Sequence, residues 1–155
     1  MSQIALENPV FRAYLIAASL MILKMGSQAW MTVHRMMKVK GGFRSPEDVK
    51  RSPFNRAPNP EQTVPNEYVE RSRRIHQNDG ENIPLFLVTG MLLVTVAPPL
   101  WVAQLLFYGY AGTRILHTIA YATAQLHDVR AAMWTPGSLI ILGTAGYTLL
   151  RAATF

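Results

Sequence analysis

The chain has 155 residues, half of them apolar, with a net charge of +6 and no cysteine. That length fits one domain, and the lack of cysteine excludes disulfides, thiolate metal sites and a cysteine nucleophile. The positive charge does not point to nucleic acid as a partner. Ten of the fifteen Lys and Arg residues lie between Arg35 and Arg74, in and around one long polar connection, and such clustering beside apolar stretches is the pattern of the positive-inside rule.

Apolar residues gather in four stretches, 10–33, 83–97, 100–121 and 133–154. A bilayer core of about 30 Å needs roughly 20 helical residues, so all four can span it if the second begins in polar sequence near residue 66. The expected fold is all-α: a transmembrane four-helix bundle, one domain over residues 1–155, embedded in a lipid bilayer. Helix 1 is expected over 9–40, stopped by Gly41-Gly42. It is too long for a signal peptide, carries Arg12 and Lys24, and lacks a small-residue cleavage site, so it reads as a retained span. The basic loop over 41–65 is expected on the cytoplasmic side. Its prolines at 46, 53, 58, 60 and 65 forbid a continuous helix, whereas Ser45-Pro46-Glu47-Asp48 suits the cap and first turn of a short one. Helix 2 follows over 66–96, Pro98-Pro99 mark a tight connection, and helices 3 and 4 are expected over 100–124 and 129–153. This topology brings the start of helix 2, the end of helix 3 and the start of helix 4 to one depth.

The polar residues of the apolar half fall in those three places. At 100° per residue, Arg74, Asn78 and Glu81 share one face of helix 2, with Glu70 and Arg71 close to it, while His76 and Asp79 project elsewhere. Arg114, His117 and Tyr121 form a stripe on helix 3 at i, i+3, i+7, and on helix 4 Arg130 is followed by Trp134 and Ser138. Each stripe also has a plain structural reading. The helix 2 residues suit a solvated extension laced by pairs such as Glu70–Arg74 and Asn78–Glu81; Arg114 suits snorkelling to the interface, and His117 packing. Their coincidence at one depth favours a shared polar pocket. A metal site is disfavoured, because no two histidines have helical zinc spacing and the arginines would repel a cation. No Gly-x-Ser-x-Gly elbow supports a serine hydrolase. Several arginines with a carboxylate and amide groups suit a small ligand bearing carboxylates and an amine, and glutathione is one.

The blocks Val69-Glu70-Arg71-x-Arg73-Arg74-x-His76-x-Asn78-Asp79-x-Glu81-Asn82, Arg114-Ile115-x-His117-Thr118-x-Ala120-Tyr121 and Pro46-Glu47-Asp48 carry a resemblance. In them the chain resembles the membrane-associated proteins of eicosanoid and glutathione metabolism, most closely their microsomal glutathione transferase branch. The resemblance implies a homotrimer of four-helix protomers with one glutathione held between neighbouring subunits near the cytoplasmic face. It implies glutathione contacts from Arg74, Asn78, Glu81, Arg114, His117, Tyr121 and Arg130, with Arg130 stabilising the thiolate and Asp48 assisting from the loop. The implied activity is transfer of glutathione to hydrophobic electrophiles, with lipid-hydroperoxide reduction as a related outcome, and no metal. The implied membrane is the endoplasmic reticulum in a eukaryote or the inner membrane in a bacterium.

Three departures qualify the resemblance. Gly80 stands where the family usually has a large apolar residue. Met36 falls where the family has a helix 1 arginine, leaving Arg35 or Lys38 as substitutes. Ala131 and Trp134 replace the serine and tyrosine of the prostaglandin E synthase relatives, which favours transfer over prostaglandin isomerisation. The remaining alternative is a non-enzymatic lipid-binding scaffold of the same architecture.

Overall fold

The computed structural model describes residues 3–154. Among them are four α-helices and no strands: α1 (Pro9–Val39), α2 (Glu67–Thr95), α3 (Leu100–Ala122) and α4 (His127–Ala153), with two one-turn 3-10 helices at Pro46–Val49 and Pro60–Thr63 in the loop. Local chemistry sets the ends. The Asn8 side chain accepts from the Val10 amide with Pro9 at the first helical position, and Asn66 accepts from the Tyr68 amide at the start of α2. The chain leaves α1 through Lys40 in the left-handed region, one residue before the glycine pair, and Gly42 follows at φ 72°. A Cβ at Gly42 would lie 3.1 Å from Val69 Cγ2, so glycine lets the loop turn back onto α2. The second 3-10 turn lies outside the expectations from sequence. It is held by a reciprocal cap between Asn59 and Gln62, a signal obscured by the prolines around it.

The helices alternate in direction. Tyr14, early in α1, donates to the Leu87 carbonyl late in α2 at 2.8 Å, whereas Arg35, late in α1, donates to Tyr68 early in α2. Asp79 meets Arg114 while Phe86 meets Phe107, and Tyr121 meets Arg130, so α2/α3 and α3/α4 are antiparallel too. Around the bundle the order is α1, α2, α4, α3: α1 packs on α2 and α3, α4 packs on the same two, and α1 does not touch α4. The ends of α1 and α3 and the starts of α2 and α4 thus share the end that carries the basic loop.

The core lies mainly between α1, α2 and α3. Phe86 stacks on Tyr110 with ring centroids 4.1 Å apart, and Phe107 presents its edge to both Phe86 and Tyr14. Gly90 permits this cluster, because a Cβ there would sit 2.8 Å from Tyr14 Cε2. Pro84 lies inside α2 without breaking it. Its ring faces the carbonyl four residues earlier, which belongs to Gly80, and the helix continues past it.

By length and composition α1 alone among the described helices is apolar enough to cross a membrane. The early turns of α2 are charged, and Arg114 and His117 dilute α3. Large apolar side chains nevertheless point outward on all four helices, including Leu23, Leu85, Leu105 and Leu142, surface that lipid or a partner would cover.

Candidate functional site

The first three turns of α2 are laced by ion pairs, but not those the spacing suggests. Arg74 pairs with Glu67 at 2.5 Å, two turns back, and Arg71 reaches the same carboxylate at 3.6 Å. Glu70 turns to Arg73 and to Arg44 of the loop, and Arg73 also donates to the Gly42 carbonyl at 2.7 Å. Glu70 therefore ties the loop to α2, while Glu67, Arg71 and Arg74 stay on the side facing α3 and α4. Glu81 accepts from Gln77 rather than meeting Asn78.

Two cavities adjoin on that side. One, of about 420 Å³, is lined by Glu67, Arg71 and Arg74 of α2, Gln125 of the α3–α4 connection, and Tyr121 and Arg130. The other, of about 380 Å³, is lined by Asn78, His117, Trp134 and Thr135, again with Tyr121 and Arg130. Because Tyr121 and Arg130 belong to both, the cavities form one groove with a strongly charged half and a half of amide, imidazole and indole.

The junction is held by ring contacts. The Arg130 guanidinium carbon lies 4.5 Å from the Tyr121 ring centroid, and the His117 ring stands edge-on to the same tyrosine at 5.0 Å. Two buried nitrogens there, Arg130 Nε and His117 Nδ1, have no hydrogen-bond partner among the described residues. Buried polar atoms left unmade cost about 1–3 kcal/mol each, so they mark where a ligand is worth binding. Arg130 also sits in the first turn of α4, which begins at His127 without a side-chain cap. The positive end of that helix adds to the guanidinium, and together they favour an anion.

The structure thus brings Arg74, Asn78, His117, Tyr121 and Arg130 to one groove. Glu81 is exposed beyond it. Arg114 turns inward instead: it is 1% exposed, and its Nη2 lies 3.0 Å from Asp79 Oδ1 and 2.5 Å from Asn78 Oδ1, so it neither snorkels nor lines the groove. Asp48 sits in the first 3-10 turn with an exposed side chain, and its backbone carries its hydrogen bonds: the amide donates to the Ser45 carbonyl and the carbonyl accepts from Asn55 Nδ2. Of the two substitutes for a helix 1 arginine, Arg35 is buried, bonded to the Tyr68 carbonyl at 2.9 Å and stacked on the Tyr68 ring, while Lys38 lies over the same ring at 5.7 Å.

Reasoning from sequence passed over Lys24 and Asp79, which pair at 2.5 Å inside the bundle. The signal was present. Asp79 is one turn from both Ile75 and Ile83, which are fully buried, and Lys24 interrupts an apolar helix three residues after the fully buried Met21. Ionisable residues at such positions need partners of opposite charge.

Comparison with known proteins covers nearly the whole chain. The chain is 35% identical to microsomal glutathione S-transferase 1 of Sus scrofa over 151 residues, covering 97% of this chain and 95% of that one. It is 34% identical to the protein of the same name in Mus musculus over the same shares. A prostaglandin E synthase of Macaca fascicularis is 29% identical over 150 residues, again 97% and 95% of the two chains. The MAPEG family model matches residues 13–150, and the chain, an all-helical four-helix bundle of the membrane type, belongs to the MAPEG family.

Proposed function

We propose that the protein is a multi-pass membrane glutathione transferase, acting as a homotrimer on hydrophobic electrophiles that arrive from the lipid. The observation that carries this reading is the groove itself: arginines at one end, and Arg130 with an unmade Nε beside His117 at the junction. Glutathione has two carboxylates, an ammonium, amide groups and one thiol. Arg71 and Arg74 suit a carboxylate, exchanging their shared Glu67 for the ligand, and Glu67 then suits the ammonium. Asn78 and His117 lie where peptide groups would run, and the thiol falls at Arg130. Glu81 enters through assembly, reaching the ligand where a neighbouring subunit closes the groove from outside. Asp48 is assigned the same route from the basic loop.

The reaction follows from charge. Arg130 and the α4 N-terminus stabilise an anion, so the thiol gives its proton to water and the sulfur becomes a nucleophile. The thiolate forms a carbon–sulfur bond with the electrophile, and the displaced group leaves with the bonding electron pair. Attack on the terminal oxygen of a lipid hydroperoxide instead would release an alcohol and leave the sulfur oxidised, which a second glutathione would return as disulfide. Trp134 and Thr135 at the far end of the groove suit an apolar acceptor better than a charged one.

The relatives include a prostaglandin E synthase, so the isomerase is the second reading. It is less favoured because Ala131 and Trp134 stand where those relatives carry a serine and a tyrosine. The first test is a thermal-shift titration of the purified protein with glutathione, followed by turnover of a panel of electrophiles. Stabilisation at millimolar glutathione with conjugate formation is expected. No stabilisation would favour a lipid-binding scaffold, and turnover confined to an endoperoxide would favour the isomerase.

A further inference from the structure

Lys24, Asp79 and Arg114 come from three helices and meet inside the bundle, behind the groove and outside its lining. Burying three charges costs far more than packing apolar residues in their place, unless each is tightly paired. The pairing here is specific. Lys24 takes Asp79 Oδ2 and Arg114 takes Oδ1, so the carboxylate is clamped between α1 and α3. The same Arg114 Nη2 that donates to Asp79 also donates to Asn78 Oδ1, and Asn78 lines the groove.

A guanidinium has donors and no acceptor, so the Asn78 atom facing Arg114 has to be its oxygen. The Nδ2 group is then the free end of that amide. Turning the amide over would set N–H against N–H, which the clamped guanidinium forbids.

We propose that Lys24 and Asp79 are positioning residues for ligand recognition: Asp79 holds Arg114, and Arg114 fixes Asn78 so that it offers the groove a hydrogen-bond donor. The Asn78 subsite accordingly takes an acceptor, a carboxylate or peptide carbonyl oxygen, and rejects a donor. The proposal rests on the reading that glutathione occupies the groove. It replaces direct ligand contact by Arg114 with an indirect role, and gives Lys24 and Asp79 functions that a simple link between helices would lack.

The test is a double-mutant cycle on glutathione affinity, measured calorimetrically with full-length protein. Asn78→Ala and Asp79→Asn should each weaken binding about tenfold, the loss of one hydrogen bond to a charged or polar group. If Asp79 acts through Asn78, the double variant should be no weaker than Asn78→Ala alone. The thiolate yield per bound glutathione should stay at the wild-type level in Asp79→Asn, because Arg130 is intact and Asp79 does not line the groove. An additive, roughly hundredfold, loss in the double variant overturns the proposal, as does unchanged affinity in Asp79→Asn. A pair that only links helices would lower the melting temperature and leave affinity alone. Should Asp79→Asn fail to fold, Lys24→Met keeps the Asp79–Arg114 pair and frees one carboxylate oxygen. A loss of about threefold that vanishes on an Asn78→Ala background is then expected, and additivity again overturns the proposal. Wild-type protein that does not bind glutathione at millimolar concentration overturns the functional reading and the ligand part of this proposal with it, whereas wild-type binding with an additive cycle overturns the positioning role alone.

Discussion

Replacing Arg130 with alanine isolates the group assigned to the thiolate. A guanidinium about 4 Å from a sulfur anion attracts it by about 4 kcal/mol at an effective dielectric of 20. Arg130 is only half-buried and the groove is open, so about half of that, roughly 2 kcal/mol or 1.5 pK units, is a fair expectation. A thiol of ordinary pKa near 8.5 would then titrate near 7 when bound. The bound pKa is lowered, so the thiolate is present above it and lost as pH falls through it. At pH 7 about half of the bound thiol would be ionised in the wild type and about 3% in Arg130→Ala, a drop of roughly fifteenfold. Stopped-flow absorbance of the thiolate on mixing with glutathione reads this directly, and raising the pH by about 1.5 units should restore the variant's signal. Binding should persist, because Arg71 and Arg74 line the other half of the groove. Arg130→Lys should retain part of the yield, since the charge remains while the planar stacking on Tyr121 is lost. An undiminished thiolate yield in Arg130→Ala at pH 7 would refute the assignment, whatever happened to turnover.

Two further substitutions test the scaffold. Gly90→Ala should destabilise the protein by about 1–3 kcal/mol, read as a lower melting temperature, because its Cβ would press on the Tyr14 and Phe107 rings at 2.8 and 3.3 Å. Gly80→Ala should raise the melting temperature by the equivalent of up to about 1 kcal/mol, since nothing lies within 4 Å of the added carbon; a lower value would mean that a neighbouring subunit packs on this turn.

The helix ends were legible because their signals are local. Pro9 and Asn66 stand at the starts of α1 and α2, and the chain leaves these helices through Lys40 and Val96, just ahead of the Gly41-Gly42 and Pro98-Pro99 pairs. The convergence of Arg74, Asn78, Tyr121 and Arg130 needed one more step, that short connections force neighbouring helices antiparallel. Ion-pair choice on α2 was less accessible. Glu70 has Arg73 and Arg74 within reach, and the loop residue Arg44 decides which it takes.

Asp79 and Glu81 show why the remainder needed the packing itself. Both lie within three residues of Asn78, and helical angles alone do not say which flank of that face turns inward. The answer depends on the neighbours of α2: Lys24 of α1 and Arg114 of α3 meet one flank at this depth, and the flank that carries Glu81 is left exposed. Asp79 therefore lands among α1 and α3 side chains and Glu81 lands outside. Depth along α3 makes the same kind of division. Arg114 and His117 share a stripe, yet one turn is enough to leave His117 at the groove and take Arg114 into the bundle, where a carboxylate was waiting on α2. A stripe of polar residues on one helix thus contains two roles, touching a ligand and holding what touches it, and only the partner helices separate them.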